Sequence, residues 1–265
     1  MTASPSTPTV LLAPGDGRAA PAWRCALAQA GMELRLTSRR GENLLVTIVI
    51  PIVLLVFFSS TTIVAVPTPR PVDFILPGIL ALAVISTSLV NLGIATGFER
   101  SYGVLKRLGG SPLSRPGLIA GKIVAVGVVE ILQAVLLVAI AWWLFGWAPG
   151  PGAPVGVAVL AYLLGTLAFA GLGLLMAGTL RAEATLAGAN GLFLVFLLVG
   201  GVIVPIDQLP AAVATLAQLL PAAALSDALR IGLGASSGDA TGPLIVLAVW
   251  GIATAGLAGR WFRWE

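Results

Sequence analysis

The sequence predicts an all-α protein of the polytopic membrane kind, and three observations carry that prediction. Hydrophobic residues fill 58% of the 265 positions, charged ones only 10%, and mean hydropathy is +1.01; a soluble domain carries roughly 25% charged residues. The apolar residues gather into six segments, most of them reaching the roughly 20 residues that cross about 30 Å of hydrocarbon. The 32 glycines suit helices in lipid, where glycine is commoner than in soluble helices. Cys25 is the single cysteine and histidine is absent from the sequence. That excludes an intrachain disulfide, a thiolate metal site, an imidazole base and His-ligated zinc.

In chain order, residues 1–21 are a polar Ser/Thr/Pro/Gly tail, expected to be disordered and cytoplasmic, without the basic-then-apolar pattern of a signal peptide. Residues 22–43 mix Trp23, Leu27, Met32, Leu34 and Leu36 with Arg24, Arg35, Arg39 and Arg40. This reads as an amphipathic helix along the cytoplasmic interface, or as a solvated lead-in to the first span. A six-span domain is expected over 44–259, with spans at Leu44–Val66, Phe74–Phe98, Leu118–Trp147, Val155–Leu180, Thr185–Val204 and Pro243–Gly259, and a short cytoplasmic C-terminus at 260–265. The third span carries Glu130. Its 14 Leu, Ile, Val and Phe residues between Ile123 and Phe145, at roughly −0.3 to −0.6 kcal/mol each, outweigh the roughly +3 kcal/mol of one central acid.

Orientation follows from Lys and Arg. With six spans, 13 of the 15 basic residues fall on one side, leaving Arg70 and Arg230 for the other. The positive-inside rule makes the basic side cytoplasmic, with both termini inside. The pI near 10.0 is then a topology signal, and no nucleic-acid partner is implied.

Two segments are not spans. In the cytoplasmic loop Glu99–Leu113, Val104, Leu105 and Leu108 recur at helical spacing beside Arg100, Lys106 and Arg107, and Gly109-Gly110 then breaks the helix before Ser111-Pro112 turns the chain. Such a short basic amphipathic helix suits docking on a soluble partner or resting on anionic lipid, and physics alone leaves the two equal. On the other side, Pro205–Gly242 is too broken by Pro205, Pro210 and Pro221 to span simply, and too apolar for an ordinary loop; it also holds Asp207, Asp227 and Arg230. Two short helices, Ala211–Leu220 and Ala222–Leu233, are expected to dip into the outer leaflet, where irregular backbone must be covered by protein or line a wet cavity. A helical loop resting on the headgroups is the other reading.

The order of these parts resembles the permease subunit of a type-2 ATP-binding-cassette exporter. That family's cytoplasmic pattern is matched by Glu99-Arg100, Gly103, Leu105, Arg107-Leu108 and Ser111-Pro112-Leu113-Ser114, followed by Gly121-Lys122. Its pattern before the last span is matched by Pro205, Leu209-Pro210, Leu220-Pro221 and Ala228-Leu229-Arg230. The likeness runs over nearly the whole chain from about residue 24. Ser101-Tyr102 and Val104 stand where many relatives have a second acidic-basic pair and a Thr. The resemblance implies a membrane subunit with no catalytic residues of its own, coupled through the 99–113 helix to ABC ATPase subunits that hold ATP and magnesium. It also implies a second permease, identical or different, and the cytoplasmic (inner) membrane of a bacterial cell as the location.

The residues agree that the motor lies elsewhere. Gly117–Lys122 is one residue short of the Walker A spacing and lacks the terminal Ser or Thr that would hold magnesium. Glu130, with Gln133 beside it, is the candidate pathway residue: a contact for a cationic substrate, a proton carrier, or a structural hydrogen bond to Asn91 or Asn190. Gly127 and Ala134 on the same face are expected to admit a neighbouring helix closely, as is Gly173-x-x-x-Ala177 in span four. Trp142, Trp143 and Trp147 suit an outer interfacial belt, and Trp261 and Trp264 an inner one. The leading function is export of an amphipathic drug, lipid or glycan. The alternative is an ion-gradient-driven transporter using Glu130, against which stands the lack of a clear internal repeat.

Overall fold

The computed structural model describes residues 21–39, 41–61, 63, 66–110 and 113–262. The tail 1–20, Arg40, Thr62, Val64, Ala65, Ser111, Pro112 and Arg263 to Glu265 lie outside the described residues. Every regular element described is helical: α1 (Ala22–Arg39), α2 (Gly41–Ser60), α3 (Pro71–Val84), a π-helical segment (Ile85–Asn91), α4 (Leu92–Ser101), α5 (Val104–Gly109), α6 (Arg115–Phe145), α7 (Val155–Thr179), α8 (Ala182–Val199), a 3-10 turn (Ile206–Gln208), α9 (Ala211–Ala217), α10 (Pro221–Leu233) and α11 (Thr241–Trp261).

Among the described residues, five helices are long and apolar enough to cross a membrane: Pro71–Ser101, which runs α3, the π segment and α4 together, then α6, α7, α8 and α11. The expected first span is α2, apolar over the shorter stretch Leu45–Ser60, and α9 and α10 form a pair bent by 80°. Pro71–Ser101 is the hub. Its most apolar stretch is 83% buried against 22% for α6, α8 and α11, because α2, α6, α7, α8 and α10 all pack around it.

In lipid the hydrophobic effect does not drive helices together, so close approach through small residues has to. A Cβ at Gly173 of α7 would sit 2.8 Å from the Ser88 carbonyl oxygen, and one at Gly93 would sit 3.1 Å from Gly173. The Gly173–Ala177 stretch is therefore an intrachain contact. Gly171 meets Thr254 of α11, whose hydroxyl donates to the Ala168 carbonyl at 3.0 Å. Gly127 has open space where its Cβ would go, so the close helix expected on the Glu130 face at that level is absent.

Helix ends have local causes. α6 starts at Ser114, whose hydroxyl accepts from the Gly117 amide at 3.2 Å, with Pro116 in the first turn where a missing N–H does no harm; it ends at Gly146 with φ +59°. The break after α8 comes five residues before the expected Val204, because Gly200-Gly201 leaves the helix and Gly201 takes φ +65°. Likewise α1 ends at Arg39 instead of residue 43, α2 at Ser60 instead of Val66, and α9 at Ala217 instead of Leu220.

The bundle has two chemically distinct ends. Arg100 at the end of α4 donates to the Leu180 carbonyl after α7. Phe262 after α11 packs with Leu92, Leu105 and Leu118 in one apolar cluster. These contacts gather the starts of α6 and α8 and the ends of α4, α7 and α11 on one side, with most of the Lys and Arg. Arg70, bonded to Asp73 at 2.9 Å and to the Gly146 carbonyl at 3.5 Å, marks the opposite end.

Candidate functional site

At the basic end, Gly103 adopts φ +71°, a left-handed turn that L side chains resist, and α5 starts from it. Leu105 is fully buried among Leu92, Leu118, Ile119, Leu174 and Phe262, so it anchors α5 to the bundle. Tyr102 (72% exposed), Val104, Lys106 and Arg107 form the outward surface of this turn, and Leu108 is half-buried. Pro112 lies outside the described residues.

Glu99 is not part of that outward surface. Its Oε2 accepts from Lys122 Nζ at 2.7 Å, and Glu33 Oε1 on α1 accepts from the same nitrogen at 2.6 Å. Glu33 also accepts from Gln29 Nε2 at 2.8 Å. Lys122 is 1% exposed. Burying an ammonium without partners is prohibitive; here two carboxylates from two other helices surround it. Sequence reading missed Glu33 and the role of Lys122. The available signal was a lysine placed two turns inside an otherwise apolar helix, which demands an acid nearby.

At mid-depth, α6 presents Glu130 and Gln133, both fully buried. Ser88 and Thr166 donate to the two carboxylate oxygens of Glu130, each at 2.5 Å, and the Tyr162 hydroxyl donates to the Glu130 carbonyl at 2.9 Å. The expected partners Asn91 and Asn190 are thus replaced by two hydroxyls. Asn91 donates to Thr47 Oγ1 at 2.8 Å, and Asn190 to its own helix at Leu186. Ser88 reaches Glu130 from within the π-helical segment.

Gln133 answers a different need. Pro51 lies inside α2 and has no N–H to give the carbonyl four residues earlier, that of Thr47. Gln133 Nε2 donates to that carbonyl at 2.7 Å, while Thr87 donates to Gln133 Oε1 at 3.2 Å. In hydrocarbon an orphaned carbonyl costs several kcal/mol, so Gln133 supplies the donor that Pro51 cannot.

At the far end, Arg230 of α10 is 5% exposed. Its Nη2 donates to the carbonyls of Gly201 at 2.5 Å and Val202 at 3.3 Å, its guanidinium lies 3.8 Å from the Phe74 ring centroid, and Asp227 is 3.5 Å away. The non-helical stretch after α8 thus has its carbonyls satisfied by Arg230. It also presses on α3 so closely that a Cβ at Gly78 would fall 1.8 Å from the Val202 oxygen. Pro205 is buried and starts the 3-10 turn, Asp207 and Pro210 are exposed, and Pro221 is buried in the first turn of α10. Trp250 Nε1 of α11 donates to the Leu219 carbonyl at the bend between α9 and α10, at 2.9 Å.

A helical bundle with several segments long and apolar enough to cross lipid, a buried lysine joint at one end and a clamped broken segment at the other has the architecture of a multi-pass membrane protein. The family model for the ABC-2 type transporter matches residues 28–233, most of the chain, and the chain belongs to that family. It is therefore a permease, the membrane component of an ABC transporter and not itself the catalytic subunit; the family generally works with ABC ATPase partners. Comparison with curated proteins finds no match.

Proposed function

We propose that the chain is the membrane half of an ATP-driven exporter. It moves an amphipathic compound (drug, lipid or glycan) across the cytoplasmic membrane of a bacterial cell. Separate ABC ATPase subunits hold ATP and magnesium, so this chain binds neither. Both termini lie in the cytoplasm, in keeping with the basic residues at that end, and the bent α9–α10 pair enters the outer leaflet and closes the opposite end.

The observation that supports this best is α5. Its root, Leu105, is buried in the bundle while Val104, Lys106 and Arg107 face outward, the arrangement a helix needs to take a push from a soluble partner. A groove of about 230 Å³ between α2, the π segment and α8 supports the passenger class: Ile50, Leu54, Phe193 and Leu197 give an apolar wall, and Thr47 and Asn190 give uncharged polar groups. A second permease, identical or different, completes the route. The test is co-purification from membranes with the co-expressed ATPase subunit. The pair Val104→Asp and Arg107→Glu should abolish the complex while leaving the yield and thermal melting of the permease unchanged; an intact complex would remove α5 as the coupling surface.

A further inference from the structure

Three elements meet at one nitrogen. Lys122 Nζ lies 2.6 Å from Glu33 of α1 and 2.7 Å from Glu99 of α4, and both carboxylates are themselves largely buried. The preceding residue, Gly121, is where α1 rests on α6: a Cβ there would lie 2.9 Å from the Ala26 carbonyl oxygen and from the Gln29 side chain. Ala26, Gln29, Ala30 and Glu33 form one face of α1 at helical spacing, and Gln29 and Ala30 on it are buried. Arg24, Arg35 and Arg39 fall on the opposite, exposed side. So a close glycine contact and an ionic joint both tie α1 to α6.

We infer that Lys122 is a positioning residue that pins α1 and the α5-bearing end of α4 to α6, so that movement delivered to α5 reaches α1. The inference rests on the permease reading for the source of that movement, but the joint itself does not. Its charge count makes it distinctive. Two carboxylates share one ammonium, so the joint carries one net negative charge. Loss of Lys122 leaves two carboxylates facing each other in one poorly hydrated space, and they repel. Loss of either acid leaves a neutral pair. Beside the joint lies a cavity of about 90 Å³, lined by Glu33, Thr37, Thr47, Thr87, Asn91 and Lys122 among others. The joint is therefore not close-packed, and the side chains have room to swing while remaining engaged. The same cavity borders Thr47, whose carbonyl is the one Pro51 leaves without its helical donor in α2, so motion at Lys122 lies one cavity away from that helix.

Cys25, the single cysteine of the sequence, is half-buried on α1 and reports α1 docking by its rate of maleimide labelling. The full chain in lipid nanodiscs is the sample. Lys122→Met should raise the rate at least about tenfold, as expected for a buried ion pair broken on one side. Glu33→Gln should raise it less, Glu99→Gln should leave it unchanged, and Lys122→Arg should keep it near the parent rate. The neutral triple variant Glu33→Gln, Lys122→Met, Glu99→Gln should fall well below Lys122→Met alone. Unchanged labelling in Lys122→Met, or a triple variant as fast as Lys122→Met, overturns the pin. Should Lys122→Met fail to fold, Glu33→Gln decides alone, and an unchanged rate overturns it equally. With the ATPase bound, ATP plus vanadate should shift Cys25 labelling in the parent complex at least about threefold and leave it unmoved in Lys122→Arg/Glu33→Gln. No shift in the parent complex overturns transmission to α1. Failure of the co-expressed ATPase to bind the parent chain overturns the ATP-driven exporter reading and leaves the nanodisc labelling to judge the pin.

Discussion

The two ends of the molecule each bury one cation, and they use it differently. Lys122 is held by carboxylates from two other helices, whereas Arg230 is held by two backbone carbonyls and the face of Phe74, with Asp227 of its own helix 3.5 Å away. An ammonium is a compact charge that tolerates its partners shifting around it, while a guanidinium is a planar fork that fixes what it binds. The basic end is thus built as a joint between helices. The far end is built as a clamp on a stretch of chain that has left the helix. Between them, Glu130 and Gln133 hold neutral contacts with hydroxyls and a carbonyl.

The sharpest way to break this contrast is Arg230→Ala. It removes the donors to Gly201 and Val202 and the contact with Phe74, and should cost about 3–5 kcal/mol, from charge-assisted hydrogen bonds at about 1.5–3 kcal/mol and a desolvated cation–π contact of about 2 kcal/mol. Thermal unfolding in detergent measures it, and Arg230→Lys should recover only part. If lysine recovers everything, the fork geometry is irrelevant and the two ends are alike. Next, Gly78→Ala forces a methyl into the Val202 carbonyl and should cost about 1–3 kcal/mol, the usual range for overpacking, with greater protease sensitivity between α8 and α9. Gln133→Leu leaves the Thr47 carbonyl unpaired beside Pro51 and should cost about 1–3 kcal/mol; replacing Pro51 by Ala in the same chain should restore most of it, because the helix then supplies its own N–H.

Glu130→Gln is milder. The amide keeps acceptor and donor capacity for Ser88 and Thr166, so stability should change by less than about 1 kcal/mol, and ATP-driven export should persist. Abolished export in a stably folded variant would favour the ion-coupled alternative. The smallest effect lies outside the membrane. Hydrogen bonds from the hydroxyl and amide of Thr241 hold the Asp239 carboxyl below its ordinary value of 3.8. A depressed folded-state value means that its contribution is present above pH 3.8 and lost as pH falls through the lowered one. Asp239→Asn should therefore lower the melting temperature slightly at neutral pH and flatten the small acid-side slope.

The helical plan was legible because apolar runs of span length have few other uses. Five of the six expected spans coincide with lipid-crossing helices to within a few residues, and the proline-broken segment resolves into two helices bent at Pro221, near the expected place. The partners were not legible. Glu33 lies 89 residues from Lys122, and Ser88 reaches Glu130 from a π segment, which sequence periodicity does not announce. Val104, Leu105 and Leu108 read alike as the apolar side of their helix, yet Leu105 is buried, Leu108 half-buried and Val104 exposed, since a six-residue helix offers too few positions to tell the anchored side from the exposed one. Some signals were present but unread: Pro51 announces an open carbonyl at Thr47, and Gln133 is a buried amide in a neighbouring span.

The π-helical segment has one further consequence, and it concerns phase. A turn that closes over five residues instead of four stores about one extra residue per turn within a continuous helix, so the halves of Pro71–Ser101 need not share an angular reference. The outer half can keep Phe74 and Gly78 turned towards the clamp, and the inner half can independently keep Glu99 turned towards Lys122. A one-residue deletion within Ile85–Asn91 should therefore spare both ends of the span. Its damage should be confined to the middle, where Thr87 and Ser88 would lose their aim at Gln133 and Glu130.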